Sequence, residues 1–177
     1  NLCMKALMDA TGTEPQNVKP YTIGFVLGPC LNATGRLDSA LSALELFQTT
    51  DRAAAATIAG NLKSMNDSRK ELTLDGVEQA IVQVEEKGYG KDKVLVIYLP
   101  EVHESLAGII AGRIREKYGK PAFVLTNAED GVKGSGRSIE AFHMYDEMTK
   151  CKELFSKYGG HKLAAVLSLP KENVEKL

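Results

Sequence analysis

The groups best suited to chemistry in this sequence are cations and hydroxyls set among glycines. They fall in the stretch from Gly131 to Leu169, which opens with GVKGSGRS and later carries KYGGH. Its order reads as a glycine- and serine-rich turn with Lys133 and Arg137, a helical segment, a second glycine turn ending in His161, and a short apolar run. An arginine presents a rigid fork of donors to a phosphate, and a histidine presents one or two donors whose charge adjusts near neutrality. Gly134 and Gly136 let the backbone approach a ligand where a Cβ would collide, while Ser135 and Ser138 add hydroxyl donors. Beside the ends of regular elements, such groups can hold a phosphate.

Each stretch also has a plainer explanation. Glycine-serine turns are common. KYGG is an ordinary helix stop through Gly159 and Gly160, after which His161 satisfies the helix C-terminus. Arg36, Arg69 and Arg113 complete the set of candidate cations with Arg137 and His161. His103, followed by Glu104, opens a helix as a cap or a substrate contact; no second histidine follows one turn later, so the zinc-protease motif is absent. Asn32 and Arg36 lie in GPCLNATGR, and burying that polar pair is costly without partners, so it is either a structural staple or part of a ligand groove. Asn66, Arg69 and Lys70 share a polar patch on a long helix, where solvated surface is the competing explanation.

Other chemistry is missing from the pattern. The three histidines (103, 143 and 161) do not form a metal set with the aspartates, and His143 reads as a structural helix start. GVKGSGRS lacks the spacing of a Walker loop, and no aromatic-rich platform for base stacking stands out. The sequence thus supplies phosphate-binding groups without an evident nucleophile or metal site.

The elements that must position these groups follow from periodicity. Residues 2–9 have helical spacing that TGTEPQ ends, and Tyr21–Leu27 reads as a strand or a short apolar helix, with helical or irregular structure preferred. Asp38–Phe47 is a helix. TTD at 49–51 then caps a long one whose apolar positions recur until Glu86, continuous unless Thr73–Gly76 breaks it. Beyond YGKD the period changes. KVLVIYL, HESLAGIIAGRIREKYG and PAFVLTN form a strand, a helix with Ile109, Ile110 and Ile114 inward, and a strand, the order of a parallel βαβ unit. Val132–Ser138 is expected as a third strand or extended edge, Met144–Lys157 as a helix, Leu163–Leu169 as a fourth strand, and PKENVEKL as the beginning of another helix that stops short. The expected class is α/β, with a small mostly parallel or mixed sheet flanked by helices. The expected division is a helical connecting region at 1–88 and an α/β domain at 89–177, truncated at its C-terminal end.

With 177 residues, 44% hydrophobic and 25% charged, the chain is ordinary globular material, and it has no run long and apolar enough for a membrane span. The net charge of -1 excludes a uniformly basic nucleic-acid binder, although acidic residues lead before residue 88 and basic ones after it. Cys3, Cys30 and Cys151 are too scattered for a zinc site or disulfide framework, which makes reducing cytoplasm the default location. The start NLCMKALMDA has neither an initiator Met nor a secretory signal, so a piece of a longer polypeptide is expected.

In order, GPCLNATGRLDSA, NLKSMNDSRK, HESLAGIIAGRIREKYGKP, KGSGRS and KYGGHKLAA resemble the RecJ single-strand-specific DNA exonucleases over essentially the whole chain. GGH alone points only to the wider DHH phosphoesterase superfamily; GRLDSA before a long helix narrows it to RecJ. The resemblance implies a connecting helix followed by a DHHA1 domain. It also implies a preceding DHH domain, absent here, that holds Mn²⁺ or Mg²⁺ and directs water at a phosphodiester, so no metal ligand is assigned to this chain. The implied partners are single-stranded DNA and that DHH domain, and the implied setting is DNA repair and recombination. By motif, His161 would face the metal centre and scissile phosphate. Arg137, Ser135 and Ser138 would bind backbone phosphate beside Gly134, Gly136, Gly159 and Gly160. His103, Arg113, Asn32, Arg36, Asn66 and Arg69 would line the groove or hold the interdomain geometry. Two departures stand out: Cys30 replaces the usual arginine of GPR(I/L)NAAGR, and Ser105 replaces a common glycine after His103. The competing functions are a DHH phosphodiesterase for short oligonucleotides or cyclic dinucleotides, and a non-catalytic nucleic-acid-binding module.

Overall fold

A computed structural model describes residues 1–37 and 40–177, the side chains of 35–37 excepted. The Arg36 side chain and the helix start expected at Asp38 therefore lie outside the described residues. The chain divides into two compact units, Asn1–Glu71 and Leu72–Leu177.

The first unit is helical: α1 (Leu2–Thr11), α2 (Pro20–Thr22), a π-type turn (Ile23–Leu27), α3 (Gly28–Leu37), α4 (Leu41–Gln48) and the first part of α5 (Arg52–Glu86). Tyr21–Leu27 is thus helical, the preferred alternative. Asn1 Oδ1 accepts the Cys3 N–H at 3.0 Å to start α1, and Asp51 Oδ1 accepts the Ala53 N–H at 2.9 Å to start α5, as TTD predicts. Leu7, Leu27, Leu46, Ala55, Ala59 and Leu62 form the core with Cys3 and Cys30. Cys30 is 1% exposed, its thiol donates to Val26 O at 3.3 Å, and burial pushes its pKa up. The residue standing where the related motif has an arginine is here a neutral core side chain. The polar patch on α5 is split: Asn66 is 3% exposed and accepts from the half-buried Arg69 through Nη2 at 3.0 Å, whereas Lys70 is exposed, so solvated surface describes the lysine alone. Asn32, by contrast, is exposed, so the cost of burying it does not arise.

The second unit holds β1 (Leu95–Tyr98), α6 (Glu104–Tyr118), β2 (Ala122–Ala128), β3 (Gly131–Arg137), α7 (Met144–Lys150), β4 (Lys157–His161) and β5 (Ala164–Leu169), with the C-terminal part of α5. The sheet order is β1-β2-β3-β5-β4. β1 and β2 are parallel around α6, the expected βαβ unit, and every other pairing is antiparallel, so the sheet is mixed. On one side Ala80 and Val84 of α5 and Leu106, Ile110, Ala111 and Ile114 of α6 pack on Leu95, Ile97, Ala122 and Val124. On the other, Met144 and Met148 of α7 pack on Phe123, Leu125, Val132, Leu167 and Leu169. Helix α6 starts at His103, whose Nδ1 accepts the Ser105 N–H at 3.3 Å, and ends at Gly119 in the left-handed conformation.

Four expectations change here. GSGR is not a turn: it belongs to β3, the expected third strand, which has a partner on each side and so is not an edge. The helix from Met144 ends at Lys150, a 3-10 turn follows at Lys152–Leu154, and KYGGH is strand β4 rather than a helix stop. Lys162 and Leu163 alone connect it to β5, a separation that favours a hairpin. The C-terminal segment Lys171–Lys176 is 3-10. The long helix stands as expected: α5 continues through Thr73–Gly76, and a Cβ on Gly76 would stand 2.5 Å from Ile110 Cδ1, so this glycine lets α5 approach α6.

The outer edge of β1 is closed by a side chain. Gln83 Nε2 donates to Tyr98 O at 3.0 Å and Gln83 Oε1 accepts the Tyr98 N–H at 3.1 Å, so an amide replaces a neighbouring strand. Gln83→Ala removes both bonds and is expected to cost about 1–2 kcal/mol in urea unfolding.

Candidate nucleic-acid interface

In a sheet, residues directly opposite one another project to the same face. The register therefore assembles three rows across β3, β5 and β4: Arg137–Ala164–His161, Ser135–Val166–Gly159 and Lys133–Ser168–Lys157. The alternate residues Gly134, Gly136, Ala165 and Leu167 point into the core shared with α7. Arg137 and His161, separated by 23 intervening positions of sequence that include a whole helix, thus share a row, about 10 Å apart at two strand spacings. The rows containing Ser135 and Lys133 line a depression of about 470 Å³, bordered by Glu104, Ser105 and Ala107 of α6. Its floor includes Val166, which is 58% exposed.

Helix α6 positions Arg137. Nη1 donates to Gly136 O at 2.8 Å, and a Cβ on Gly108 would lie 2.7 Å from Nη2. Gly108 and Gly112, one helical turn apart, leave a channel along α6 in which the arginine lies. His161 is exposed, and its Nδ1 accepts the Leu163 N–H at 3.2 Å. That bond places the proton of the neutral ring on Nε2, which becomes the donor available to a ligand. Lys133 Nζ meets Glu104 Oε2 at 2.6 Å, and this hydrogen bond holds the lysine above its ordinary pKa.

The glycines divide into two kinds. At Gly134 a Cβ would stand 2.4 Å from Leu125 Cδ2, and at Gly136 one would stand 2.5 Å from Met144 Sδ. Packing explains both, and their backbone groups lie in a strand paired on both sides, which leaves no role in letting a ligand approach. Gly160 has φ of 154°, and a Cβ there would be 2.4 Å from Ala164 O. Gly159 differs, because a Cβ would meet nothing within 4 Å and would project over the open face. Gly159→Val is expected to leave the melting temperature unchanged or slightly raised, since strands favour β-branched residues. The same change should weaken single-stranded DNA binding severalfold in a fluorescence-anisotropy titration.

The remaining candidates are placed elsewhere. Ser138 is 1% exposed and its Oγ donates to Phe142 O at 2.8 Å, so it fastens the loop after β3 and is removed from the ligand set. His103 caps α6 and lines a second depression with Glu101, Glu104, Glu129, Asp130 and Lys133, where four carboxylates face one lysine and His103 has no other cation beside it to hold a phosphate. Arg113 is exposed on α6, 3.6 Å from Glu116, and does not line the depression formed by the Ser135 and Lys133 rows. Asn32, Asn66 and Arg69 belong to the first unit. Lys157, Ser168, Gly108 and Gly112 escaped the sequence; reading KYGGH as a strand would have put Lys157 and His161 on one face by period-two alternation.

Residues 91–177 match the DHHA1 domain. Over 97% of its length the chain is 35% identical to the single-stranded-DNA-specific exonuclease RecJ of Salmonella typhimurium. This chain belongs to the RecJ family. It spans 31% of the length of that RecJ. The fold agrees: RecJ of Thermus thermophilus in complex with Mg²⁺ matches 99% of this chain with a TM-score of 0.81 at 29% identity, over 28% of its own chain. A manganese-bound exonuclease RecJ matches 99% with a TM-score of 0.86 at 28% identity, over 43% of its own chain. Among the described residues of this chain, no three His, Cys, Asp or Glu side chains converge to hold a metal ion.

Proposed function

We propose that this chain is the strand-gripping part of a larger RecJ exonuclease that hydrolyses single-stranded DNA from its 5′ end. The observation that carries this reading is the row Arg137–Ala164–His161, on the face of the sheet that packs against α6 at its Arg137 end and is exposed at His161. Arg137 offers its guanidinium fork to phosphate oxygens from the α6 side, and His161 offers Nε2–H from the β4 side. Ser135 adds a hydroxyl one row away, and Gly159 keeps the path above the sheet clear. Residues 1–88 act as the helical connecting region and 89–177 as the DHHA1-like domain. A preceding DHH domain of the same polypeptide holds Mn²⁺ or Mg²⁺, which supplies an activated water. The DHHA1 side keeps the phosphodiester still while that water attacks. The setting is cytoplasmic DNA repair and recombination.

The test compares the 177-residue chain with the full-length gene product on 5′-labelled single-stranded DNA in the presence of Mn²⁺. The full-length protein is expected to release nucleotides from the 5′ end, and the isolated chain to release none. Metal-dependent turnover that co-purifies with the isolated chain would overturn the division of labour.

A further inference from the structure

The row Lys133–Ser168–Lys157 has no part in the phosphate grip described above. It lies two rows from Arg137 and His161, about 13 Å along the strands, with the uncharged row Ser135–Val166–Gly159 between. Both lysines line the same depression as that middle row. Lys157 is exposed and makes no ion pair among the described residues. Lys133 is held by Glu104 at 2.6 Å, with the charges of Glu129 and Asp130 from the loop before β3 acting on it as well, and both side chains of the Lys133–Glu104 pair are about half exposed, at 50% and 46%.

The geometry points to a second phosphate subsite at Lys133, Ser168 and Lys157, with Glu104 as a built-in counter-ion that occupies Lys133 until nucleic acid displaces it. The inference rests on the nucleic-acid reading above and extends it: the grip has two charged ends, and the depression between them takes the two intervening nucleotides. Three features agree with that occupant. The middle row carries no charge that would compete for a phosphate. Val166 presents a bare apolar floor, and Gly159 adds no side chain above it. Ser168 places a hydroxyl between the two lysines. Glu104 costs the site affinity, because its carboxylate must be exchanged for a phosphate, and it keeps Lys133 in place while the site is empty.

The experiment measures binding to the full-length protein with a chelator present to stop hydrolysis. The probes are a 5′-phosphorylated thymidine dinucleotide and a longer oligothymidylate, each titrated over a range of salt. Lys133→Ala and Lys157→Ala are expected to weaken the longer strand severalfold and to reduce its salt slope by about 0.7 each, the value for one phosphate contact on a single strand. The dinucleotide, too short to bridge the two ends, should bind as before. Glu104→Gln should tighten the longer strand severalfold by freeing Lys133. Arg137→Ala should weaken both probes. Unchanged slopes in both lysine variants, with Arg137→Ala still weakening both probes, would overturn the second subsite and leave the proposed function standing. Equal weakening of both probes by the lysine variants would also overturn it, since that marks a diffuse field. If Arg137→Ala changes nothing, the proposed function fails and this inference fails with it. All three side chains are partly solvated, so melting curves should match the parent and separate these outcomes from misfolding.

Discussion

Arg137→Ala is expected to lower the exonuclease rate of the full-length protein about a hundredfold, the order found when one fixed donor to a reacting centre is removed. The arginine is pre-positioned: Gly108 and Gly112 of α6 leave the channel in which it lies, and its Nη1 is fixed on Gly136 O at 2.8 Å. Little ordering therefore remains to be done when a phosphate arrives. Arg137→Lys keeps the charge but loses the planar fork, so it should recover only part of the activity. The fold should lose no more than about 1 kcal/mol, because the side chain is only half-buried and lies at the edge of the packed layer. His161→Ala should reduce activity in the same direction, with its ring held by the Leu163 N–H and its Nε2 turned outward. The measurement is steady-state hydrolysis of a 5′-phosphorylated strand alongside thermal melting. Full activity and unchanged DNA affinity in Arg137→Ala would remove the arginine from its assigned role.

Gly160→Ala should do the opposite, destabilising the second unit by about 3 kcal/mol in urea unfolding. The added carbon would stand 2.4 Å from Ala164 O and 2.6 Å from Ala165 Cα, and both are backbone atoms of the paired strand that cannot swing aside. The positive φ of 154° adds strain for any residue with a Cβ. Its neighbour supplies the control, since Gly159→Val points into open space and should leave stability intact while weakening the strand grip. Two adjacent glycines would then fail by different routes, one by unfolding and one by obstruction. If both variants melt like the parent, the hairpin is not as tightly packed as the distances require.

The parts of this architecture that were legible in the sequence are those with side chains that declare a period. KVLVIYL and PAFVLTN announce buried strands, and the helix between them makes the parallel unit. His103, His143 and Asp51 each stand at a helix start and each accept a backbone N–H there. β4 was invisible for the opposite reason: two of its five residues are glycines, which have no side chain to alternate, and KYGG resembles a helix stop. The glycines of β3 were misattributed because what fixes them is distant in sequence. Leu125, Phe123, Leu167 and Met144 already fill the space that a Cβ would need. The candidate site was legible as a list of residue types but not as a surface. Arg137 and His161 meet only through pairing with β5, which neither stretch encodes alone. Ser138 and Asn66 looked like ligand groups because a hydroxyl and an amide advertise hydrogen bonding, and both spend it inside the protein.

The middle row of the interface carries a hydroxyl, an isopropyl group and a hydrogen atom where a base would lie. None of the three rows offers an amide to recognise adenine or a carboxylate to recognise cytosine. In the proposed grip the cations are taken up by phosphates, and the row between them has a single hydroxyl with which to tell one base from another. On the proposed function, a strand would therefore be held with nearly the same strength in every register, whatever its sequence.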